Sequence, residues 1–191
     1  MAENRDHLIE MDSIVGDGDL GLTMGDGFKA AYEKAADGSV TDAGKLLYQA
    51  GKAMASAVPS TMGTLMASGL MQAGKVLKGT ETLENADVAK IFEAYEAGVA
   101  NRGKAKVGEK TFIDGIHPAV ESLNAAAAEG SSLEEMAAGA VKAAEDGFKN
   151  TTTMIAVHGR AATRGEASRS LEDPGAYVAV LIMKAFENST K

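Results

Sequence analysis

The sequence predicts an all-α fold, and three observations predict it. Apolar residues recur at three- and four-residue spacing through most of the chain. No stretch alternates apolar and polar residues as a half-buried strand would. Alanine is abundant and aromatic residues make up only 5% of the chain, a composition suited to helices that pack closely.

Taken in order, helices are expected at about 2–11, 22–36, 41–57, 61–77, 86–101, 111–128, 132–148 and 174–188, with room for a shorter one near 150–158. Ala43, Leu46, Leu47, Ala50 and Met54 form one apolar stripe. Val88, Ile91, Phe92, Tyr95 and Val99 form another. Leu133, Met136, Ala137, Ala140, Val141, Ala144 and Phe148 make a third, opened by the capping-box spacing of Ser132 and Glu135. Val178, Leu181, Ile182, Ala185 and Phe186 make the last, and Pro174 suits the first turn of its helix. Met54, Met62, Met66 and Met71 read as core filler. No repeat, linker or low-complexity tail interrupts the pattern, and 191 residues are expected to form a single domain, 1–191.

The composition excludes several functions. A net charge of −8 and a pI of about 4.9 argue against binding a nucleic-acid backbone or an anionic membrane. The absence of cysteine removes disulfides, thiolate catalysis and cysteine-ligated metals. No run approaches about 18 apolar residues, and the polar start lacks a signal-peptide pattern. A cytoplasmic location is expected.

The strongest local signal is Asp12-Ser-Ile-Val-Gly-Asp17-Gly-Asp19-Leu-Gly21. Carboxylates this close repel, and a divalent cation would resolve the repulsion. Mg²⁺ prefers oxygen ligands and commonly shares them with nucleotide phosphates. The bland alternative is a solvated turn. An EF-hand is excluded, because Gly21 and Phe28 fall where ligands are required. No β-branched strand precedes the glycines, so a dinucleotide fingerprint fails too.

Three further loops are richer in polar residues and glycine than a connection needs. Pro59-Ser-Thr-Met-Gly63-Thr leads into a helix, where hydroxyls and free N–H groups either hold phosphate or merely cap. Arg102-Gly-Lys-Ala-Lys-Val-Gly-Glu-Lys-Thr111 imitates a phosphate-binding loop in its glycine spacing. Glu109 occupies the lysine position, however, and no strand precedes it. The segment from Gly159 to Ala176 carries three arginines and the Asp173-Pro-Gly turn, and reads as a phosphate-binding loop or a mixed-charge surface loop. His7, His117 and His158 show no metal-ligand spacing, and His117 reads as a helix-face polar contact.

Together, Asp12-x4-Asp17-Gly-Asp19-x-Gly21, Arg102-Gly-Lys…Gly-Glu-Lys-Thr111…Asp114…Pro118 and Gly159-Arg-Ala…Gly165-Glu…Ser168…Asp173-Pro-Gly-Ala176 resemble the L subunit of dihydroxyacetone kinases. The ordered set covers nearly the whole chain. The resemblance implies a single-domain barrel or bundle of about eight antiparallel amphipathic helices with nucleotide at one rim. It implies that Asp12, Asp17 and Asp19 hold two Mg²⁺ ions and, with Arg160, form the catalytic set. Leu20, Gly21, Leu22 and Thr23, with Thr61 and Met62, would lie along the phosphates and nucleotide. Gly103 and Phe112 would line the base pocket. Arg160 with Asp173, Pro174 and Gly175 would complete nucleotide binding.

The implied activity is phosphoryl transfer from bound ADP or ATP chemistry to dihydroxyacetone or a related small ketose held on a K-like partner subunit. The donor is exchangeable ATP, or retained ADP recharged by a phosphohistidine protein of the sugar phosphotransferase system. Activity without the partner is not expected, since no substrate-anchoring site is evident.

The chain departs from the family at Leu20, where histidine is usual, and at Thr23, where asparagine is usual. Pro59 to Gly63 replaces a Gly-Gly-x-Ser-Gly loop, and Ser170-Leu171 replaces Gly-His. The family's first helix looks absent or trimmed. These differences point to a divergent subgroup. Two other readings remain: a nucleotide-binding regulatory module that docks on another protein without turnover, and a purely structural helical domain.

Overall fold

The computed structural model describes residues 1–191. It contains eight α-helices and no strand: α1 Arg5–Val15, α2 Leu20–Ala35, α3 Ala43–Ala57, α4 Thr61–Val76, α5 Asn85–Gly103, α6 Phe112–Ala128, α7 Leu133–Asn150 and α8 Pro174–Ser189. Short 3-10 segments occupy Ala2–Asn4, Thr151–Thr153 and Ala161–Ser168. No helix is long and apolar enough to cross a membrane.

The main departures from the sequence expectation lie around the first two helices and after α7. The first helix runs past residue 11 to Val15, because Leu8, Met11 and Val15 continue one buried stripe. Asp12 therefore sits on a helix. The second begins at Leu20, since Leu20 and Gly21 are themselves buried. The short helix allowed near 150–158 is a single turn at Thr151–Thr153. Its three threonine hydroxyls donate back to the carbonyls of Phe148, Lys149 and Asn150, which ends the helical run. A 3-10 segment at 161–168, kinked at Gly165, lies where only a loop was expected.

The helices gather into two compact units. The first comprises Met1–Asp6 and Asp19–Lys104. Within it α2 packs on α3, α3 on α4 and α4 on α5, each helix against its successor. Small residues set the spacing. A Cβ at Gly98 on α5 would lie 2.6 Å from the Ser68 carbonyl of α4, so any larger residue would push these helices apart. Met54, Met66 and Met24 are fully buried, as core filler should be, while Met62 and Met71 are half-buried. Each fully buried methionine contributes about 1.5–3 kcal/mol. The Tyr95 hydroxyl, buried in this core, contacts Met66 Sδ at 3.1 Å. Glu84 and Asp87 form a capping box at the start of α5, and Lys104 closes its end in a left-handed conformation.

The second unit comprises His7–Gly18 and Ala105–Lys191. Here α6, α7 and α8 pack against one another. Thr111 with Asp114, and Ser132 with Glu135, form the capping boxes of α6 and α7. Pro174 occupies the first turn of α8. Ile116, Leu123, Met136, Val178 and Met183 fill the core. The ring of His7 meets Tyr177 edge-on, with centroids 5.1 Å apart, which ties the start of this unit to α8.

Candidate functional site

Three carboxylates converge where α1 gives way to α2. Asp12 projects from the last turn of α1. Gly18 then turns the chain with φ +74°, a conformation other residues adopt only with strain. Asp17 is exposed on this turn, and Asp19 is the residue before α2. Asp19 has helical dihedrals and makes no side-chain cap bond to α2. One oxygen from each of Asp12, Asp17 and Asp19 lies within 4.8 Å of the others. Hard oxygen donors open to solvent are what Mg²⁺ takes, because it keeps waters or phosphate oxygens in its remaining positions. The donor set therefore fits the ion.

Arg160 reaches the same turn. Its Nη2 lies 2.6 Å from Asp17 Oδ2. The segment carrying it is held from the loop before α6. Val157 N–H donates to the Glu109 carbonyl at 3.2 Å, and His158 Nε2 meets Glu109 Oε2 at 2.7 Å. The imidazole contact, helped by the Lys106 amide, holds the Glu109 carboxyl below its usual range. Next to Glu109, Lys110 is only 2% exposed, and its Nζ donates to the carbonyls of Thr151, Arg169 and Leu171. Burial pulls its pKa down, partly opposed by the charge of Asp173. Arg169 bonds Glu166 and the Thr153 carbonyl, so it braces the segment.

Asp173 caps α8, accepting from Ala176 N–H at 2.7 Å, while its own N–H donates to Thr151 Oγ1. Burial pushes its carboxyl up to about 7, against the opposing pull of the Ala176 bond and Lys110. Pro174 and Gly175 begin α8 directly after it. Phe112 is buried at the start of α6.

In the first unit, Leu20, Gly21 and Thr23 are buried on α2, and Leu22 is 40% exposed. Ser60 caps α4 by accepting from Gly63 N–H at 3.0 Å. That satisfies one orphan donor and leaves the amides of Thr61 and Met62 without an intrahelical acceptor. Gly103 ends α5 beside the Leu65 side chain. A groove of about 440 Å³ in this unit, lined by Tyr48, Ser68, Gln72, Lys75, Asn101 and Arg102, contains none of the expected site residues.

The structure thus joins Asp12, Asp17 and Asp19 in one cluster and brings Arg160 onto Asp17. It makes Asp173 a buried cap and Phe112 a buried side chain. Sequence reasoning gave no role to Glu109, Lys110 or His158. The only signal was the Gly108-Glu-Lys-Thr111 run, which spacing alone presented as a failed phosphate loop. His117 lies 3.7 Å from Glu121 one turn away, the helix-face contact expected of it.

The DAK2 domain family model matches residues 14–188, and the chain belongs to that family. It is similar to the ADP-binding subunit DhaL of the PEP-dependent dihydroxyacetone kinase of Escherichia coli K12, with 31% identity over 97% of this chain and 89% of that one. It is likewise similar to the DhaL subunit of the PEP-dependent dihydroxyacetone kinase 1 of Listeria innocua, with 33% identity over 96% of this chain and 86% of that one. It is therefore DhaL-like. An L-erythrulose 1-kinase of Mycolicibacterium smegmatis is 32% identical over 96% of this chain, which spans only 32% of that protein.

Among solved structures, the dihydroxyacetone kinase of C. freundii in its native form superposes with a TM-score of 0.74 at 24% identity. The match covers 98% of this chain and 32% of that one. The same enzyme in complex with AMP-PNP and Mg²⁺ gives a TM-score of 0.68 at 23% identity, over 98% of this chain and 31% of that one. The chain spans about a third of those structures, and the likeness to them is one of fold.

Proposed function

We propose that the chain is a Mg²⁺-nucleotide phosphotransferase subunit, one nucleotide-binding domain over 1–191, acting with a K-like ketose-binding partner. The observation that carries this reading is the convergence of the Asp12, Asp17 and Asp19 oxygens within 4.8 Å, with Arg160 at the same turn. The relatives support it, since two are ADP-binding subunits of dihydroxyacetone kinases and match over most of their own length.

Asp12, Asp17 and Asp19 would hold two Mg²⁺ ions, which when bound neutralise charge on a transferring phosphoryl group. Arg160 adds a planar cation able to bond two phosphate oxygens at once. The free amides of Thr61 and Met62 suit phosphate oxygens, because a helix N-terminus favours anions. Leu20 to Thr23, Gly103, Phe112 and the Asp173-Pro174-Gly175 turn complete the proposed nucleotide contacts. The ketose, dihydroxyacetone or a related sugar, is supplied on the partner. We take ADP as the resident nucleotide, recharged by a phosphohistidine protein of the sugar phosphotransferase system, with exchangeable ATP as the alternative.

Calorimetric titration of ADP into nucleotide-stripped protein, with and without Mg²⁺, tests the reading. Mg²⁺-dependent binding supports it, nanomolar affinity indicating retained ADP and micromolar affinity exchangeable ATP. Folded protein that binds no nucleotide would overturn it in favour of a docking or structural role.

A further inference from the structure

We propose that Lys110 is a positioning residue for Arg160, acting through the backbone of the segment that carries it. The proposal rests on the reading above, in which Arg160 serves bound nucleotide. An ammonium has three protons to donate. The structure gives Lys110 three carbonyls: Thr151 at 2.5 Å, Leu171 at 2.5 Å and Arg169 at 3.2 Å. Thr151 lies at the start of the arginine segment, and Arg169 and Leu171 lie at its end. One cation therefore clasps both ends of the segment. Glu109, the residue before it, holds the middle through Val157 N–H and His158, and Arg160 follows two residues later. Arg160 then meets Asp17.

Closing a loop does not require this arrangement. Backbone groups can bond one another without burying a charge, and a buried cation is costly unless paired. Lys110 also holds φ +60°, in the left-handed region that side chains disfavour. Such backbone conformations persist where surrounding structure over-determines them, and they cluster at sites of function. The neighbouring charges of Asp173 and Asp114 favour the ammonium, so the clasp also ties the cap of α8 and the cap of α6 to the arginine segment.

A double-mutant cycle on Mg²⁺-ADP affinity tests this, using Lys110→Met, Arg160→Ala and the pair, with trypsin cleavage after Arg164 followed on the same proteins. Each single change should weaken binding about tenfold, in the range for groups that orient a ligand-holding residue. The pair should lose no more than about twofold beyond Arg160→Ala, because Lys110 works only through that arginine. Cleavage after Arg164 should quicken in Lys110→Met and not in Arg160→Ala.

Lys110→Arg keeps the charge but replaces a compact ammonium with a planar group, so it provides a second cycle with the same non-additivity expected. Multiplicative losses in either cycle, or parental affinity in a Lys110 variant, would overturn the proposal. So would loss of fold in both Lys110 variants, which would make the residue structural only. A folded parent that binds no Mg²⁺-ADP overturns the nucleotide reading and this proposal with it. That result is distinct from a binding parent with multiplicative losses.

Discussion

Arg160 Nη2 stands 2.6 Å from Asp17 Oδ2, so one carboxylate of the cluster already has a cation supplied by the chain. Guanidinium and metal compete for that oxygen. Arg160→Ala should therefore bind Mg²⁺ alone a few-fold more tightly, yet bind Mg²⁺-ADP about tenfold more weakly, because a phosphate partner is lost. The side chains are 70% and 43% exposed, so the pair should contribute no more than about 1 kcal/mol to stability. Calorimetry in the two conditions checks the split. Equal losses in both would mean that Arg160 does not compete with the metal.

Asp17→Asn should abolish the thermal shift that Mg²⁺ and ADP together produce. A ligand at a hundredfold excess over its Kd stabilises the folded state by about 2.7 kcal/mol, and this gain should disappear. Without ligand the variant should melt within about 1 kcal/mol of the parent, since a like charge and an exposed ion pair are removed together. An unchanged ligand-induced shift would remove Asp17 from the metal site.

Asp173 makes stability depend on pH. Burial raises its carboxyl from 3.8 to about 7 in the folded protein, while Lys110 lowers it and Asp114 raises it further. The folded state therefore binds the proton more tightly than the unfolded chain. Its contribution is fully present below about pH 4 and is lost as pH rises through about 7. Asp173→Asn keeps an acceptor for Ala176 N–H and cannot titrate. Its melting temperature should fall less than the parent's between pH 5 and about 7.5. Parallel profiles for the two proteins would refute the assignment.

Gly115→Ala should be destabilising by about 1–3 kcal/mol, the usual cost of overpacking. A Cβ there would lie 2.6 Å from the Ala176 carbonyl and 3.0 Å from the Ala176 Cα, where α6 meets α8. Backbone cannot yield as a flexible side chain can, so the helices must separate. Chemical denaturation measures the loss, and a neutral substitution would show that the α6–α8 contact is softer than its geometry.

Much of the fold was legible because its signals are local. The expected ranges matched α3 to α8 to within a few residues, with apolar stripes carrying α3, α5, α7 and α8, and Ser132 with Glu135 and Pro174 marked two helix starts at the positions observed. The aspartate cluster was legible for the same reason, since its members share one short stretch. The first helix was cut short because Asp12, read as a loop ligand, also continues a helix between Met11 and Val15. The clasp at Lys110 was not legible. Left-handed backbone is announced by glycine or asparagine, not lysine, and a side chain that bonds backbone carbonyls imposes no pattern on the residues it touches. The His158–Glu109 contact joins residues 49 apart, with nothing in either neighbourhood to predict the other.

The nearness of Asp12, Asp17 and Asp19 in the chain has a kinetic consequence. Bringing their oxygens together closes only a very short loop, which costs little chain entropy and is fast. Arg160 must instead arrive from far along the polypeptide to meet Asp17. Such long-range closure is the slow part of folding. During refolding the carboxylate cluster should gain its affinity for cations early and its arginine late. A stopped-flow experiment that follows Mg²⁺ uptake and nucleotide uptake separately would see two phases, with the metal leading.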